Sequence, residues 1–469
     1  MSWIRHAAWS FACLAIVAIV SAVAAQGANV SALNQQSVKL HNQGKDKEAT
    51  AIAEKAVGLA QRTLGPDHPD TLKSLYNLAS LYDAQGRYGE AEPLLKRALA
   101  GFERVLGHDN PTTLAAASSL GSLYESQGHF ADAEPLFKRA LEGFQRVRGA
   151  NDLQALISAD NLGSLYRVQG RYAEAEPLYK RALAGFERVL GPEHPDTLAG
   201  VSNMAQLYSA EGRYGEAEPL CKRVQEARER VLGPENPRTL QSLVALADNY
   251  KAQGRYSEAE PLFRRALEAS EHVLSPDHPD TLARMSSLAS IARAQGHDSE
   301  AETLYKRALA ASERVLGKEQ PDTIAIVNNL AGLYQAQGHY AEAEPLLKRA
   351  LNAYERVPGP DHPNTVSVVG NLAALYEAEG RYSEAVPLYK RELQAREGLL
   401  GPEHPDTLTS VSKLADLYQT EGRHGEAEPL YQRAADARER VLGPEHPDTI
   451  ASVKKLALLY KEQGRYADA

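Results

Sequence analysis

Apolar residues in this chain fall into a pattern that returns every 42 residues. In residues 69–107, PDTLKSLYNLASLYDAQGRYGEAEPLLKRALAGFERVLG, the side chains Leu72, Leu75, Leu78, Ala79 and Tyr82 advance by three and four positions and share one helical face. The spacing predicts a helix A, with Asp70 or Thr71 as N-cap and Gly86 as its end. A second periodic run, Ala91, Leu94, Leu95, Ala98, Leu99, Phe102 and Leu106, predicts a helix B that stops at Gly107. Proline is tolerated in the opening turns of a helix, so Pro93 places the start of helix B, or a bend, near Glu90. Each unit therefore reads as a helical hairpin.

The hairpin is repeated head to tail. Glycine recurs from Gly44 through Gly86 and Gly128 to Gly464, and alanine from Ala49 through Ala91 to Ala469, without a slip. A fixed period of this size marks stacked units that bury their apolar faces only against their neighbours. The column of Ala79 is Ala or Gly in every unit, which lets helix axes approach closely. The column of Tyr82 reads as core beside it. Residues 28–66 form a degenerate, polar first unit suited to a cap, and residues 67–469 about ten units, the last incomplete. With no capping helix after it, that last unit is expected to be covered by a partner or by self-association, unless the chain is a truncated relative of a longer protein.

Ala79, Tyr82, Gly86, Tyr88, Ala91, Ala98 and Pro111 stand where the tetratricopeptide repeat has its small residue, tyrosine, glycine, aromatic, alanines and proline. The chain resembles that family, and the string EAEPLxKRALxxxERVLGPEHPDT resembles the long-helix subtype of kinesin light chains. The resemblance implies an all-α fold, a right-handed superhelical α-solenoid of tandem helix-turn-helix units. It also implies a concave groove lined by helices A. It does not imply a kinesin light chain itself, since no heptad coiled coil precedes the repeats.

Composition adds a compartment. Residues 7–25 carry no charge, follow Arg5 and His6, and end in an Ala22-Val23-Ala24 cleavage pattern, so residues 1–24 are expected to be a signal peptide and the protein periplasmic or secreted. The alternative is a membrane anchor formed by residues 7–25. The formal charge of -9 and the absence of basic runs argue against nucleic acid as a partner. Of the two cysteines, Cys13 lies in the leader and Cys221 occupies a core column.

Candidate chemistry is sparse. No nucleophile elbow, metalloprotease helix, phosphate loop or paired-cysteine motif is present, so the reading is non-enzymatic, with no cofactor and no metal. The recurring His68, His194, His278, His362, His404 and His446 alternate with Asn110, Asn236 and Gln320, which fits a side-chain hydrogen bond in the turn. The charged Glu92–Lys96 type of pair reads as a solvated outer face.

The groove positions of the first full unit, as the resemblance implies them, are Lys73, Tyr76, Asn77, Ser80, Asp83 and Ala84. The Asn77 column continues as Ser119, Asn161, Asn203, Ala245, Ser287, Asn329, Asn371, Lys413 and Lys455. An amide offers donor and acceptor together, which suits the backbone of an extended peptide. The expected function is a protein-interaction scaffold that binds an extended peptide segment, in a groove that is small-sided and nearly neutral except at Lys454, Lys455 and Lys461. The alternative is the sensor arm of a split or truncated effector, such as a protease or signalling enzyme. Two places break the columns, residues 149–155 and 275–303, and predict weak joints. Glu392 stands where the other units place Ala or Val.

Overall fold

The computed structural model describes residues 27–41, 43, 45–357 and 359–466. The expected leader and the final Ala469 lie outside the described residues. In chain order the helices are α1 (27–41), α2 (Asp46–Thr63), α3 (Pro69–Ala84), α4 (Tyr88–Leu106), α5 (Pro111–Ser126), α6 (Phe130–Arg148) and α7 (Leu153–Val168). There follow α8 (Tyr172–Leu190), α9 (Pro195–Ala210), α10 (Tyr214–Leu232), α11 (Pro237–Ala252), α12 (Tyr256–Val273), α13 (Pro279–Ala294) and α14 (Asp298–Val315). The last are α15 (Pro321–Ala336), α16 (Tyr340–Arg356), α17 (Pro363–Ala378), α18 (Tyr382–Leu400), α19 (Pro405–Thr420), α20 (His424–Leu442) and α21 (Pro447–Glu462). Odd numbers are helices A and even numbers helices B. The fold is all-α, tandem helix-turn-helix, with no strand among the described residues. It divides into two compact units, one ending at Leu162 and one beginning at Gly163.

Helix A starts earlier than expected, at the proline, and its cap is the preceding histidine. The Nδ1 of His68 accepts the backbone N–H of Asp70 at 3.2 Å, and Asn110 Oδ1 accepts that of Thr112 at 2.9 Å. Asp70 and Thr71 are thus already inside α3. The Thr71 hydroxyl donates instead to the carbonyl of Gly65 at 2.7 Å, pinning the incoming loop. Gln320 makes no such cap. At residues 149–155, where the cap sequence is lost, Asp152 Oδ1 accepts the N–H of Gln154 at 3.0 Å and α7 starts normally. Gly86, at φ +69, lets the N–H of Arg87 turn back to the carbonyl of Tyr82 at 2.8 Å and end the helix.

Helix B also starts sooner, at Tyr88 rather than near Glu90, and runs on past Pro93. The proline leaves the Gly89 carbonyl without its helical donor, but both residues are exposed and water reaches that oxygen. In the second weak stretch Ser275 keeps the loop path at φ 115, and Ala292 remains 3% exposed.

Between the helices Ala79 is fully buried. Where that column is Gly121, an added Cβ would stand 3.1 Å from the Phe137 ring. Leu72, Leu75 and Leu95 close the same layer in the first unit, each fully buried leucine contributing about 1.5–3 kcal/mol.

The outer charges do more than face water. Glu218 takes Lys222 of its own helix at 2.7 Å, and from the next hairpin Arg255 at 2.6 Å and the Tyr250 hydroxyl at 3.5 Å. The Arg255 guanidinium lies over the Tyr250 ring, 4.3 Å from its centre. Hydrogen bonds from Lys222, and then from Arg255, hold the Glu218 carboxyl down at about 2. Glu344 binds Lys348, Arg381 and Tyr376 in the same way. A further rung joins successive helices B, as in Arg139–Glu103 at 2.5 Å and Arg349–Glu313 at 2.7 Å. Single exposed pairs stabilise by only about 0–1 kcal/mol, so these rungs set the register between hairpins more than they hold them together.

Candidate functional site

The expected groove column lies along the helices A, but most of its polar groups serve the neighbouring hairpin. Asn161 Nδ2 donates to Ser118 Oγ at 3.3 Å, Asn329 Nδ2 to Ser286 Oγ at 3.2 Å, and Asn371 Nδ2 to Asn328 Oδ1 at 2.9 Å. Ser119 Oγ meets the Tyr76 hydroxyl at 2.8 Å. The amides thus tie consecutive helices A together. Each nevertheless keeps its carbonyl oxygen as a further acceptor.

The two lysines of the column are likewise engaged. Lys455 Nζ lies 2.6 Å from Asp416 Oδ2, and Lys413 Nζ lies 3.6 Å from Glu392 Oε1. Glu392 itself is fully buried, with Arg396 Nη2 at 3.0 Å from Oε1. These are ion-pair distances, although neither carboxylate oxygen has an aligned hydrogen bond. The basic C-terminal stretch expected from Lys454, Lys455 and Lys461 is therefore partly neutralised.

Asn77 borders two clefts of the first unit, of about 500 and 410 Å³. The first is lined by polar side chains such as Ser31, Asn34 and Lys39, and the second has Phe102 and Phe144 among its walls. Ser287 is half-buried, and its carbonyl accepts from Ser290.

A third opening lies in the second unit, between α9 and α11 over α10. It measures about 570 Å³, with Ser202, Asn203, Gln206 and Ser209 on one wall and Gln241, Ala245, Asp248 and Asn249 on the other. Cys221, Val224 and Arg228 make the floor, and Arg167 flanks it. Asn203 and Ala245 thus line opposite walls of one opening. The charged floor was not expected. It follows from a break in the helix B columns, which run Phe102, Phe144, Phe186 and then Arg228, and Leu95, Phe137, Tyr179 and then Cys221. Smaller or polar side chains at these places leave the space open.

The cleft environment is partly dry. Burial raises the Asp248 carboxyl above its ordinary value and lowers the Arg228 guanidinium. Burial, aided by the nearby Glu218 charge, pushes the Cys221 thiol up to about 11, so it stays protonated at neutral pH. Among the described residues no group of three His, Cys, Asp or Glu could hold a metal ion, and no helix is long and apolar enough to cross a membrane. The recurrent histidines act as helix caps.

A tetratricopeptide repeat family model matches residues 31–104, 84–146, 198–272, 252–314, 322–398, 368–434 and 406–469, and a second model of the same description matches residues 156–196. No curated protein matches the chain. Among solved structures, it is similar to the nearly identical TPR-like repeats assigned to a kinesin light chain of Podosopora anserina, at 30% identity over 44% of this chain and 98% of that one, with a TM-score of 0.36. It is also similar to BtubC (BKLC) from P. vanneervenii, at 25% identity over 53% of this chain and 92% of that one, with a TM-score of 0.38. With repeat matches over most of its length, the chain belongs to the tetratricopeptide repeat family, whose repeats form protein–protein interaction scaffolds.

Proposed function

We propose that this scaffold is non-enzymatic and holds an extended segment of another protein against its helix A faces, with the α9–α11 cleft as the main seat in the second unit. The observation that carries the reading is the cleft of about 570 Å³ whose walls are short polar side chains and whose floor is open. Gln206 and Gln241 are exposed on opposite walls and offer donors and acceptors to a peptide backbone. Arg228 at the floor would orient a polar side chain of the partner. Export through residues 1–24 remains part of this proposal, with anchoring by residues 7–25 as its alternative.

Because Asn161, Asn329 and Asn371 also join neighbouring helices, their removal would confound binding with packing. A cleaner test fills the cleft with Ala245→Trp, since Ala245 is exposed there and makes no inter-helix hydrogen bond. A photo-crosslinking side chain at Gln206 or Gln241, in the intact cell envelope, should capture a discrete partner that Ala245→Trp abolishes at unchanged helicity. The groove reading fails if capture persists in Ala245→Trp, or if a crosslinker at the outward Glu226 captures the same partner equally well.

A further inference from the structure

Of the recurrent histidines only His404 is buried, at 9% exposure, whereas His68, His194, His278, His362 and His446 are each half-exposed. The difference comes from a contact far along the sequence but inside the same compact unit. The turn between α7 and α8 lies against the turn between α18 and α19. A Cβ added to Gly170 would stand 2.5 Å from His404 Cδ2, 2.9 Å from Nε2 and 3.1 Å from Pro405 Cδ. At the corresponding Gly86, Gly212, Gly254 and Gly296 an added Cβ would meet nothing within 4 Å.

The packed ring of His404 still serves as a cap. Nδ1 accepts the N–H of Asp406 at 3.0 Å, capping α19. The backbone of Val168, the last residue of α7, lies close enough to the ring to oppose the loss of basicity that burial causes. A ring nitrogen that accepts an N–H carries no proton of its own, which is the neutral imidazole. A proton on Nδ1 would set two donors, ring N–H and Asp406 N–H, against each other, and would place a charge in a seam that excludes water.

We propose that this seam is an acid-released latch, closed while His404 is neutral and opened when it is protonated.

The neighbouring charges fit that direction. Desolvation lowers the His404 basicity most, Asp406 opposes it, and Arg396 adds to it. Arg396 is held by Glu392 at 3.0 Å and by the carbonyl of Asp406 at 2.9 Å. On the facing turn Arg171 is occupied by Glu174 and Gln169, and Tyr172 is pushed up to about 12 by burial and then by Asp406, with Arg167 opposing and Glu211 adding. Glu403, beside His404, pairs with Arg440 at 2.5 Å. The closed seam thus binds fewer protons at His404 than the open one. Closure is favoured above the ordinary imidazole value of about 6.5 and weakens as the pH falls through it.

The test uses the full chain with Cys13 and Cys221 replaced by serine and spin labels at Ala173→Cys and Pro402→Cys, on the two turns. One short distance is expected at about pH 8 and a longer population at about pH 5, with helical circular dichroism retained. His404→Asn keeps the cap, as Asn110 does, and should remove the pH response. Gly170→Ala should give the long distance even at pH 8, while Gly254→Ala, equally strained at φ +73 but facing open space, should not. The latch is overturned if the distance stays constant across this range, if His404→Asn responds like the parent, if Gly170→Ala keeps the short distance, or if helicity collapses together with release. No ligand enters this measurement, so its failure is separate from failure of the groove reading.

Discussion

Gly370 on α17 faces the carboxyl group of Glu392 on α18, and a Cβ added to the glycine would stand 2.6 Å from the carboxyl carbon. The two are an exchange within one column pair: other hairpins place Ser118 with Ala140, Ser286 with Ala308, and Ser412 with Ala434. A glycine on one helix makes room for a carboxylate on the next, and Arg396 and Lys413 balance its charge. Gly370→Ser alone should destabilise by displacing the carboxylate. Glu392→Ala alone should leave a void and an uncompensated Arg396. Together they restore the common pair, so a double-mutant cycle in urea should give a favourable coupling of about 1–3 kcal/mol. Additive effects would mean that the two side chains are not matched.

Ser275 is the only residue other than glycine at positive φ among the described residues, at 115°, where Gly107 and Gly401 serve in other units at 90° and 92°. Ser275→Gly should therefore raise stability, by about 1 kcal/mol. Thermal unfolding of the two proteins side by side measures it, and an unchanged or lower midpoint would count against strain at this loop.

The capping role of the histidines gives a graded prediction. His194 Nδ1 accepts the N–H of Asp196 at 3.2 Å. His194→Ala should cost about 0.5–2 kcal/mol, as loss of other side-chain caps does. His194→Asn should cost almost nothing, because Asn236 makes the same bond to Arg238. Urea midpoints and amide exchange at the start of α9 would register the difference.

Acid should loosen the rungs between hairpins. The Glu218 carboxyl sits at about 2 when folded, held by Lys222 and Arg255, against an ordinary value of 4.5. Its contribution is complete above the ordinary value and is lost as the pH falls towards 2. The parent should exceed Glu218→Gln in urea midpoint at pH 6, and the gap should close by about pH 2.5. A gap independent of pH would place the effect of the substitution elsewhere.

The helical hairpins were legible in the sequence because Leu72, Leu75, Ala79 and Tyr82 repeat the helical period on a buried face. The helix ends were less so. Histidine is an uncommon cap, and Asp70 and Thr71 looked like better ones. Pro93 suggested a later start for helix B because its tolerance depends on whether Gly89 is wetted, which only the packed hairpin decides. The Asn column was found, but its bonds run to the preceding helix A, and that geometry depends on how hairpins stack. Cys221 read as an ordinary core side chain and Arg228 drew no notice, because only the packed hairpins show that both open onto one cleft. Glu392 looked anomalous because its compensation, Gly370, sits on another helix.

Links between adjacent hairpins recur at a constant offset, so a whole repeat could be gained or lost by unequal recombination and the joints would re-form. The meeting of His404 with Gly170 obeys a different arithmetic. It depends on how many repeats lie between the two turns, and deleting one of them, such as residues 254–295, would leave a well-made chain whose distant turns no longer face each other. That single contact can therefore gauge length in an array whose local joints are blind to copy number.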